Sequence, residues 1–315
     1  MKYDKGYLAR QAEKYGFVRD TLEKVFRLKE ILEYINRNSF LKELLVLKGG
    51  TAINLTLFDL PRLSVDIDLD YTANNRRDEM LAARDVIRAD LEKYIRSQQY
   101  SFTVRQHHSL DSYSLVYENT GGNSDTIKIE INYSLRTHIL PYEIRSILAD
   151  VLEKKSLIKI LAPVELYASK INALLNRAAA RDLYDVSQMI RSGIINPEDF
   201  IVLKKCTVFY AAISATPINK NFSQDMFDSI TDYSIRTELL PVLRTGDQFF
   251  ADEAKKQVNE FLQALMVLSD KERAFIDRFE LKDYHPELLF DDEAIIGRLQ
   301  RHPMALWKVR TNPSN

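Results

Sequence analysis

The chain has 315 residues, of which 45% are hydrophobic and 28% charged, and its 44 Lys and Arg against 45 Asp and Glu give a net charge of −1. This composition supports a sizeable buried core and excludes low-complexity disorder, because Gly and Pro number only nine each. The single cysteine, Cys206, excludes a disulfide scaffold and a cysteine-based zinc cluster, and the near-neutral charge argues against general polyanion binding.

Neither a secretory signal nor a membrane span is expected from the sequence. The N-terminal stretch MKYDKGYLARQAEKYGF contains no apolar segment of the kind that signal peptides carry. No run of about eighteen apolar residues occurs along the chain, which is the length that a membrane-spanning helix needs. We therefore expect a cytoplasmic protein in a reducing environment.

The first half of the chain is predicted to combine helices with a small β-sheet. Apolar residues recur at helical spacing in three segments: 7–37, 52–58 and 77–98. Alternating or β-rich patterns occupy 64–71, 102–104, 113–117 and 127–133, after a short apolar run at 44–47. The sequence Thr120-Gly121-Gly122-Asn123 is typical of a hairpin turn between the last two strands.

After Pro141 the pattern is mainly helical to the end of the chain, and Pro163 stands at the start of an Ala- and Leu-rich helix. The sequence therefore predicts an α+β fold. In it, a small mixed β-sheet domain flanked by helices is followed by a mainly α-helical domain. We place the first domain at 1–155 and the second at 156–315.

Three alternating carboxylates are the most informative feature of the chain. Residues two apart on a strand share a face, so Ser64, Asp66, Asp68 and Asp70 are expected to project together. Several carboxylates side by side repel one another unless a cation lies among them. Oxygen ligands alone suit a hard cation, above all Mg²⁺. The alternative is a solvent-facing edge strand whose outer positions happen to be acidic.

Two other uses of clustered aspartates fit poorly. An EF-hand loop that began at Asp66 would need Gly at its sixth position and Glu at its twelfth, where the chain has Tyr71 and Arg77. A haloacid-type phosphatase would need a strongly apolar strand before its nucleophilic aspartate, whereas Pro61-Arg62-Leu63-Ser64 precedes Asp66.

A glycine turn, Lys48-Gly49-Gly50-Thr51, lies upstream of this strand. Glycines let the backbone approach a phosphate closely, and N–H groups at a helix start attract anions. The turn is neither a Walker loop nor a dinucleotide fingerprint, because both spacings are absent, and alone it could be no more than a tight turn. Together with the D-x-D strand, however, it places a phosphate cradle beside a metal site, as nucleotidyl transfer requires.

These two strings carry a family resemblance. Leu47–Ala52 and Arg62–Leu69 resemble the polymerase-β-type nucleotidyltransferase superfamily, and within it the AbiEii/AbiGii toxins of bacterial abortive-infection and type IV toxin–antitoxin systems. The resemblance implies that Asp66 and Asp68 are catalytic metal ligands. It also implies a set of nucleotide-binding residues: Gly49, Gly50, Thr51, Arg62 and Ser64.

The superfamily uses a third acidic residue on a later strand. Glu130, central in the predicted strand 127–133, is the candidate for this catalytic metal ligand. The alternative is an ordinary surface glutamate.

The sequence from Lys170 to Asp185 resembles two downstream motifs of the same toxins. The resemblance implies that Lys170 is catalytic and binds nucleotide, together with a catalytic aspartate that is either Asp182 or Asp185. If one helix runs throughout, Lys170, Arg177 and Arg181 share a face and can neutralise a triphosphate. A solvated helix face is the alternative, and Asp185 could instead be structural.

The resemblance implies a toxin that transfers a nucleotide from a nucleoside triphosphate to an RNA acceptor, with the 3′ end of tRNA as the candidate. It implies Mg²⁺ in a two-metal site and a winged-helix antitoxin encoded nearby that need not form a stable complex. The alternatives are a small-molecule, antibiotic-type nucleotidyltransferase, a non-catalytic nucleotide-binding regulator, and a glycosyltransferase that uses D-x-D to hold a nucleotide sugar.

Overall fold

The computed structural model describes residues 3–153, 155–214 and 227–310. The chain divides into two compact units, each containing segments from distant parts of the sequence. The sheet unit comprises Met1–Arg136, Tyr142–Leu161 and Pro241–Asp247. The helical unit comprises Thr137–Pro141, Ala162–Leu240 and Gln248–Asn315. The domain ranges of 1–155 and 156–315 stay predictions.

A seven-stranded mixed sheet forms the centre of the sheet unit. Its strands are β1 (Leu45–Lys48), β2 (Asp66–Tyr71), β3 (Ser101–His107), β4 (Leu110–Glu118), β5 (Ser124–Asn132), β6 (Glu143–Ser146) and β7 (Leu157–Ile160). Their order is β3-β4-β5-β2-β1-β7-β6, with β2 parallel to β5 and β1 parallel to β7. This arrangement confirms the predicted fold class. Strands β6 and β7 escaped prediction because four residues are too few to show an alternation.

The described residues of the sheet unit form five α-helices: α1 (Lys5–Tyr15), α2 (Arg19–Arg37), α3 (Ser39–Leu44), α4 (Gly49–Thr56) and α5 (Arg77–Ser97). The single helix predicted over 7–37 was wrong, because the chain leaves the helix at Gly16, whose φ is 73°. Asn38 ends α2 and begins α3, since its side-chain oxygen accepts hydrogen bonds from the backbone N–H groups of Phe40 and Leu41.

Period-two alternation fixes which face of β2 and β5 is buried. Ile67, Leu69, Ile129 and Ile131 are almost fully buried, and the residues between them lie on the opposite face. A slip of one residue would move these apolar side chains to the polar face, so their burial specifies the register. The same register places the charged side chains of the two strands beside one another.

A buried arginine, Arg84, joins helix α5 to the β3–β4 hairpin. Its Nη2 and Nε donate hydrogen bonds to the Asp111 carboxylate at 2.7 and 3.1 Å. The same guanidinium donates to the backbone carbonyls of His107 at 2.8 Å and His108 at 3.1 Å. Asp111 is fully buried, so removal of the guanidinium would leave its charge uncompensated in the interior.

We expect Arg84→Met to lower the free energy of unfolding by about 3–5 kcal/mol, because it breaks a buried ion pair on one side only. Arg96→Met on the same helix removes an exposed ion pair with Glu92 and should cost less than about 1 kcal/mol. Urea unfolding of the two variants measures the difference. Equal losses would contradict the role assigned to the buried pair.

The helical unit confirms the predicted helical second half. Its helices are α6 (Pro163–Arg177), α7 (Ala180–Ser192), α8 (Pro197–Ile213), α9 (Asp232–Ser234), α10 (Ala251–Leu265), α11 (Asp270–Glu280), α12 (Glu293–Leu299) and α13 (Pro303–Arg310). Large aromatic side chains, Tyr167, Phe209 and Phe275, are fully buried in its core. None of the described helices, in either unit, combines the length and the apolar character needed to cross a bilayer.

A buried carboxylate, Glu165, ties the segment Thr137–Pro141 to helix α6 within this unit. Its two oxygens accept hydrogen bonds from the backbone N–H groups of Ile139 at 2.8 Å and Leu140 at 2.9 Å. The hydroxyl of Tyr210 also donates to it. Burial alone would raise the pKa of Glu165, but these hydrogen bonds and the neighbouring His138 outweigh burial and lower it.

Candidate active site

Three carboxylates lie on one face of the paired strands β2 and β5. In the parallel register Asp68 pairs with Glu130, and Asp66 pairs with Lys128. Asp66, Asp68 and Glu130, called here the acidic cluster, are all partly exposed. The structure therefore brings the predicted metal ligands onto one face of two neighbouring strands.

Asp70 differs from the other two aspartates of its strand. It is 0% exposed, and its Oδ1 lies 2.6 Å from Nζ of Lys48 on the neighbouring strand β1. Lys48 itself pairs with Asp68 in the antiparallel β1–β2 register. The innermost of the three negative charges is therefore balanced by a protein ammonium group.

A second lysine, Lys128, faces the acidic cluster and was missed in the sequence analysis. Its Nζ lies 2.7 Å from Glu130 Oε1. The hydrogen bond to Glu130 raises the pKa of Lys128, and the negative charges of Asp66 and Asp68 add to this effect. The signal was present in the sequence, because Lys128 stands two residues before Glu130 on a strand and so shares its face.

The glycine turn starts helix α4 directly against the acidic cluster. Gly49 has a φ of 69°, which favours glycine, and a Cβ there would lie 2.4 Å from Asp68 Oδ2. A Cβ on Gly50 would lie 2.6 Å from Arg62 Nη2 and 3.2 Å from Ser64 Oγ. The first N–H groups of a helix have no acceptor within it, so this turn offers donors for an anion beside the carboxylates.

The remaining predicted nucleotide-binding residues connect this turn to the start of β2. The Thr51 hydroxyl donates a hydrogen bond to the backbone carbonyl of Asp66 and lies 2.8 Å from Ser64 Oγ. Arg62 is almost fully buried, and its Nη1 donates to the carbonyl of Leu63 at 3.0 Å. Gly49, Gly50, Thr51, Arg62 and Ser64 thus lie around one turn.

A separate polar group, the lysine–aspartate cluster, lies in the helical unit and consists of Lys170, Asp182 and Asp185. Lys170 is only 7% exposed, and its Nζ lies 2.9 Å from Asp182 Oδ1 and 3.0 Å from Asp185 Oδ2. Asp182 also accepts hydrogen bonds from Arg177, from Nε at 2.6 Å and from Nη2 at 3.0 Å. Burial would raise the pKa of Asp182, but the charges of Lys170 and Arg177 outweigh it and lower the pKa.

The condition under which Lys170, Arg177 and Arg181 would share one helix face is not met. Helix α6 ends at Arg177, Ala178 takes a left-handed φ of 45°, and α7 begins at Ala180. Arg181 therefore lies on a different helix from Lys170, and its Nε donates to the backbone carbonyl of Glu238 at 2.7 Å. Alanine favours helix, so local propensity gave no sign of the break.

The comparison with known protein families decides the assignment. Residues 30–281 match the sequence model of a protein family, the nucleotidyl transferase AbiEii toxins. These toxins belong to type IV toxin–antitoxin systems. The chain belongs to the AbiEii nucleotidyltransferase toxin family. The resemblance noted in the sequence is thereby confirmed, as is the expectation of a nucleotidyltransferase.

The AbiEii chain is also similar in fold to a solved structure. MenT4, a nucleotidyltransferase toxin from Mycobacterium tuberculosis, superposes with a TM-score of 0.65 at 16% sequence identity. The match covers 98% of this chain and 100% of the mycobacterial chain. At this identity the likeness establishes the fold. A search of curated proteins finds no significant match.

The lowered pKa of Asp182 predicts an acid-sensitive contribution to stability. Its folded pKa lies below the unfolded value of about 3.9, so its contribution is present above that value and is lost as the pH falls through the folded pKa. We expect Asp182→Asn to lose about 3 kcal/mol of unfolding free energy at pH 7. The difference in unfolding free energy between this variant and the unsubstituted chain should be smaller at about pH 3 than at pH 7.

Urea unfolding at the two pH values measures this difference. Asp291→Asn serves as the control, because Asp291 is an exposed carboxylate that pairs with Lys205 and Lys271 in solvent. The control should change little at either pH. If the difference in unfolding free energy between Asp182→Asn and the unsubstituted chain stayed constant down to pH 3, this result would contradict the proposed charge coupling.

Proposed function

We propose that this AbiEii toxin transfers a nucleotide from a nucleoside triphosphate to an RNA acceptor, with Mg²⁺ as cofactor and the 3′ end of tRNA as the candidate acceptor. The observation that carries the proposal is the parallel pairing of β2 with β5, which sets Asp66, Asp68 and Glu130 on one face beside the start of α4. Nucleotide transfer requires such a combination of carboxylates and anion donors.

The residues of the acidic cluster suit a divalent cation. Carboxylate oxygens are the ligands that Mg²⁺ prefers, and the absence of a Cβ on Gly49 leaves room for the Asp68 carboxylate. Asp66, Asp68 and Glu130 are the proposed ligands of a two-metal site. When bound, Mg²⁺ would stabilise the charge that develops on the transferring phosphoryl group and on the departing pyrophosphate.

The chain's own groups would hold the triphosphate in place. Backbone N–H groups of Gly49, Gly50 and Thr51 can donate to phosphate oxygens at the start of α4. The Arg62 guanidinium lies immediately beside Gly50 and adds positive charge there. Ser64 lies within hydrogen-bond distance of the Thr51 hydroxyl, which fixes the turn against β2.

The lysine–aspartate cluster is proposed as a second element needed for transfer. Two carboxylates fix the position of the Lys170 ammonium, and Asp182 also accepts hydrogen bonds from Arg177. A cation held in this way is preorganised to stabilise phosphate charge. Two sets of roles stay predictions. One is nucleotide binding by Lys170, Arg177 and Arg181, and the other is catalysis by Lys170, Asp182 and Asp185.

The remaining parts of the proposal concern the biological system. A type IV toxin implies an antitoxin partner, and we propose a winged-helix protein encoded next to the toxin that need not bind it stably. A cytoplasmic location fits a toxin that acts on RNA. A small-molecule acceptor is the alternative, and it would remove the need for an RNA-binding surface.

Labelling with radioactive nucleoside triphosphates tests the proposed reaction. We expect incubation with each triphosphate, Mg²⁺ and total RNA to label tRNA-sized species. Asp66→Asn should lower transfer by about 100-fold or more, because metal coordination is worth several kcal/mol. Asp125→Asn is the matched control, since Asp125 lies at the start of β5 and pairs with Lys24. Label in small acceptors, or full activity of Asp66→Asn, would contradict the proposal.

Two glycine substitutions test the fit between the turn and the acidic cluster. Gly49→Ala and Gly122→Ala both place a side chain at positive φ, which costs about 1–2 kcal/mol in either case. Only the Cβ at position 49 meets the Asp68 carboxylate, because nothing lies within 4 Å of a Cβ at position 122. We expect Gly49→Ala to lose more unfolding free energy than Gly122→Ala by urea unfolding, because the Asp68 side chain must also shift.

Nucleotide transfer, in contrast, should fall only in Gly49→Ala, by about tenfold or more, since a displaced catalytic group loses its alignment. Equal transfer by the two variants would show that the Asp68 carboxylate can move aside without consequence.

A further inference from the structure

The third carboxylate of the acidic cluster is engaged by a lysine. Lys128 Nζ lies 2.7 Å from Glu130 Oε1. Lys128 also stands opposite Asp66 in the β2–β5 register. Among the residues that the structure describes, no group of three or more His, Cys, Asp or Glu side chains is arranged to hold a metal ion. Glu130 accepts from an ammonium group at a point where a metal ligand is expected.

We propose that the Lys128 ammonium occupies the acidic cluster as an internal cation and must release Glu130 before Glu130 can bind a divalent cation. This inference rests on the proposed function, which makes Asp66 and Asp68 metal ligands. A divalent cation bound at Glu130 Oε1 would lie close to the Lys128 ammonium group, and the repulsion between the two positive charges opposes metal binding while this contact persists. Lys128 and the divalent cation therefore compete for one carboxylate.

The side chains involved can exchange partners. The Lys128 side chain is 47% exposed and that of Glu130 29% exposed, so solvent can take up the ammonium group when it leaves. An ion pair of this exposure is weak, because water screens the attraction. Lys48 is in a different position, since its partner Asp70 is fully buried. Of these two lysines, Lys128 is the one that a divalent cation can displace.

The competition has a direct consequence for metal affinity. Replacing Lys128 by a neutral residue removes the competitor and leaves Glu130 available to the cation. We expect Lys128→Gln to tighten Mn²⁺ binding by about two- to fivefold in the absence of nucleotide, which is the factor that a partly exposed ion pair is worth. Mn²⁺ is the probe because the electron paramagnetic resonance signal of the free ion measures its binding directly.

Substitution of Glu130 separates competition from a general change in charge. If Lys128 competes for Glu130, Lys128→Gln should tighten Mn²⁺ binding when Glu130 is present but should change Mn²⁺ affinity little in the Glu130→Gln background. If the Lys128 charge acts on the cation without involving Glu130, the effects of the two substitutions on the free energy of Mn²⁺ binding should add. Additive effects, or an unchanged or weaker affinity in Lys128→Gln, would overturn the inference.

Two further variants complete the experiment. Lys24→Gln is the matched control, because Lys24 also pairs with a β5 carboxylate, Asp125 at 2.7 Å, and should leave Mn²⁺ affinity unchanged. Asp66→Asn tests the underlying metal site. Mn²⁺ binding that survives Asp66→Asn refutes the proposed function, whereas binding that is lost there but is unaffected by Lys128→Gln refutes only the competition. Urea unfolding of each variant verifies that it is folded.

Discussion

The concentration of negative charge on one face of the sheet is the constraint on which the candidate site depends. Carboxylates at neighbouring positions of paired strands repel one another, and this repulsion opposes the pairing of β2 with β5. The structure balances the charge with two lysines at different depths, Lys48 against the buried Asp70 and Lys128 against the partly exposed Glu130. Cations supplied by the protein thus make the acidic face compatible with a stable sheet.

The two polar clusters differ in how the negative charge of their carboxylates is balanced. In the acidic cluster, negative charge exceeds positive charge and the side chains are partly exposed, which favours capture of further cations. In the lysine–aspartate cluster, Lys170 lies between two buried carboxylates and Arg177 binds one of them from the solvent side. Burial and mutual pairing make the second cluster rigid, whereas the first retains the capacity to exchange partners.

Local pattern predicted much of the fold and of the sheet-unit site. Alternation in β2 revealed the shared face of Asp66 and Asp68, and the Gly49–Gly50 pair revealed the tight turn. The same alternation in β5 placed Lys128 on the face of Glu130, but only the pairing of β5 with β2 shows that this lysine stands opposite Asp66. The break at Ala178 could not be foreseen either, since tertiary context there overrides the helical preference of alanine.

Pairing between β2 and β5 has a consequence for how the protein is made. Helix α5 and strands β3 and β4 lie between these two strands in the chain, although β2 and β5 are neighbours in the sheet. Contacts between such distant segments form slowly, because the intervening loop must be closed first. A nascent chain still lacks the completed carboxylate face while β5 remains inside the ribosome. The order of synthesis therefore delays the appearance of this face until most of the sheet has been translated.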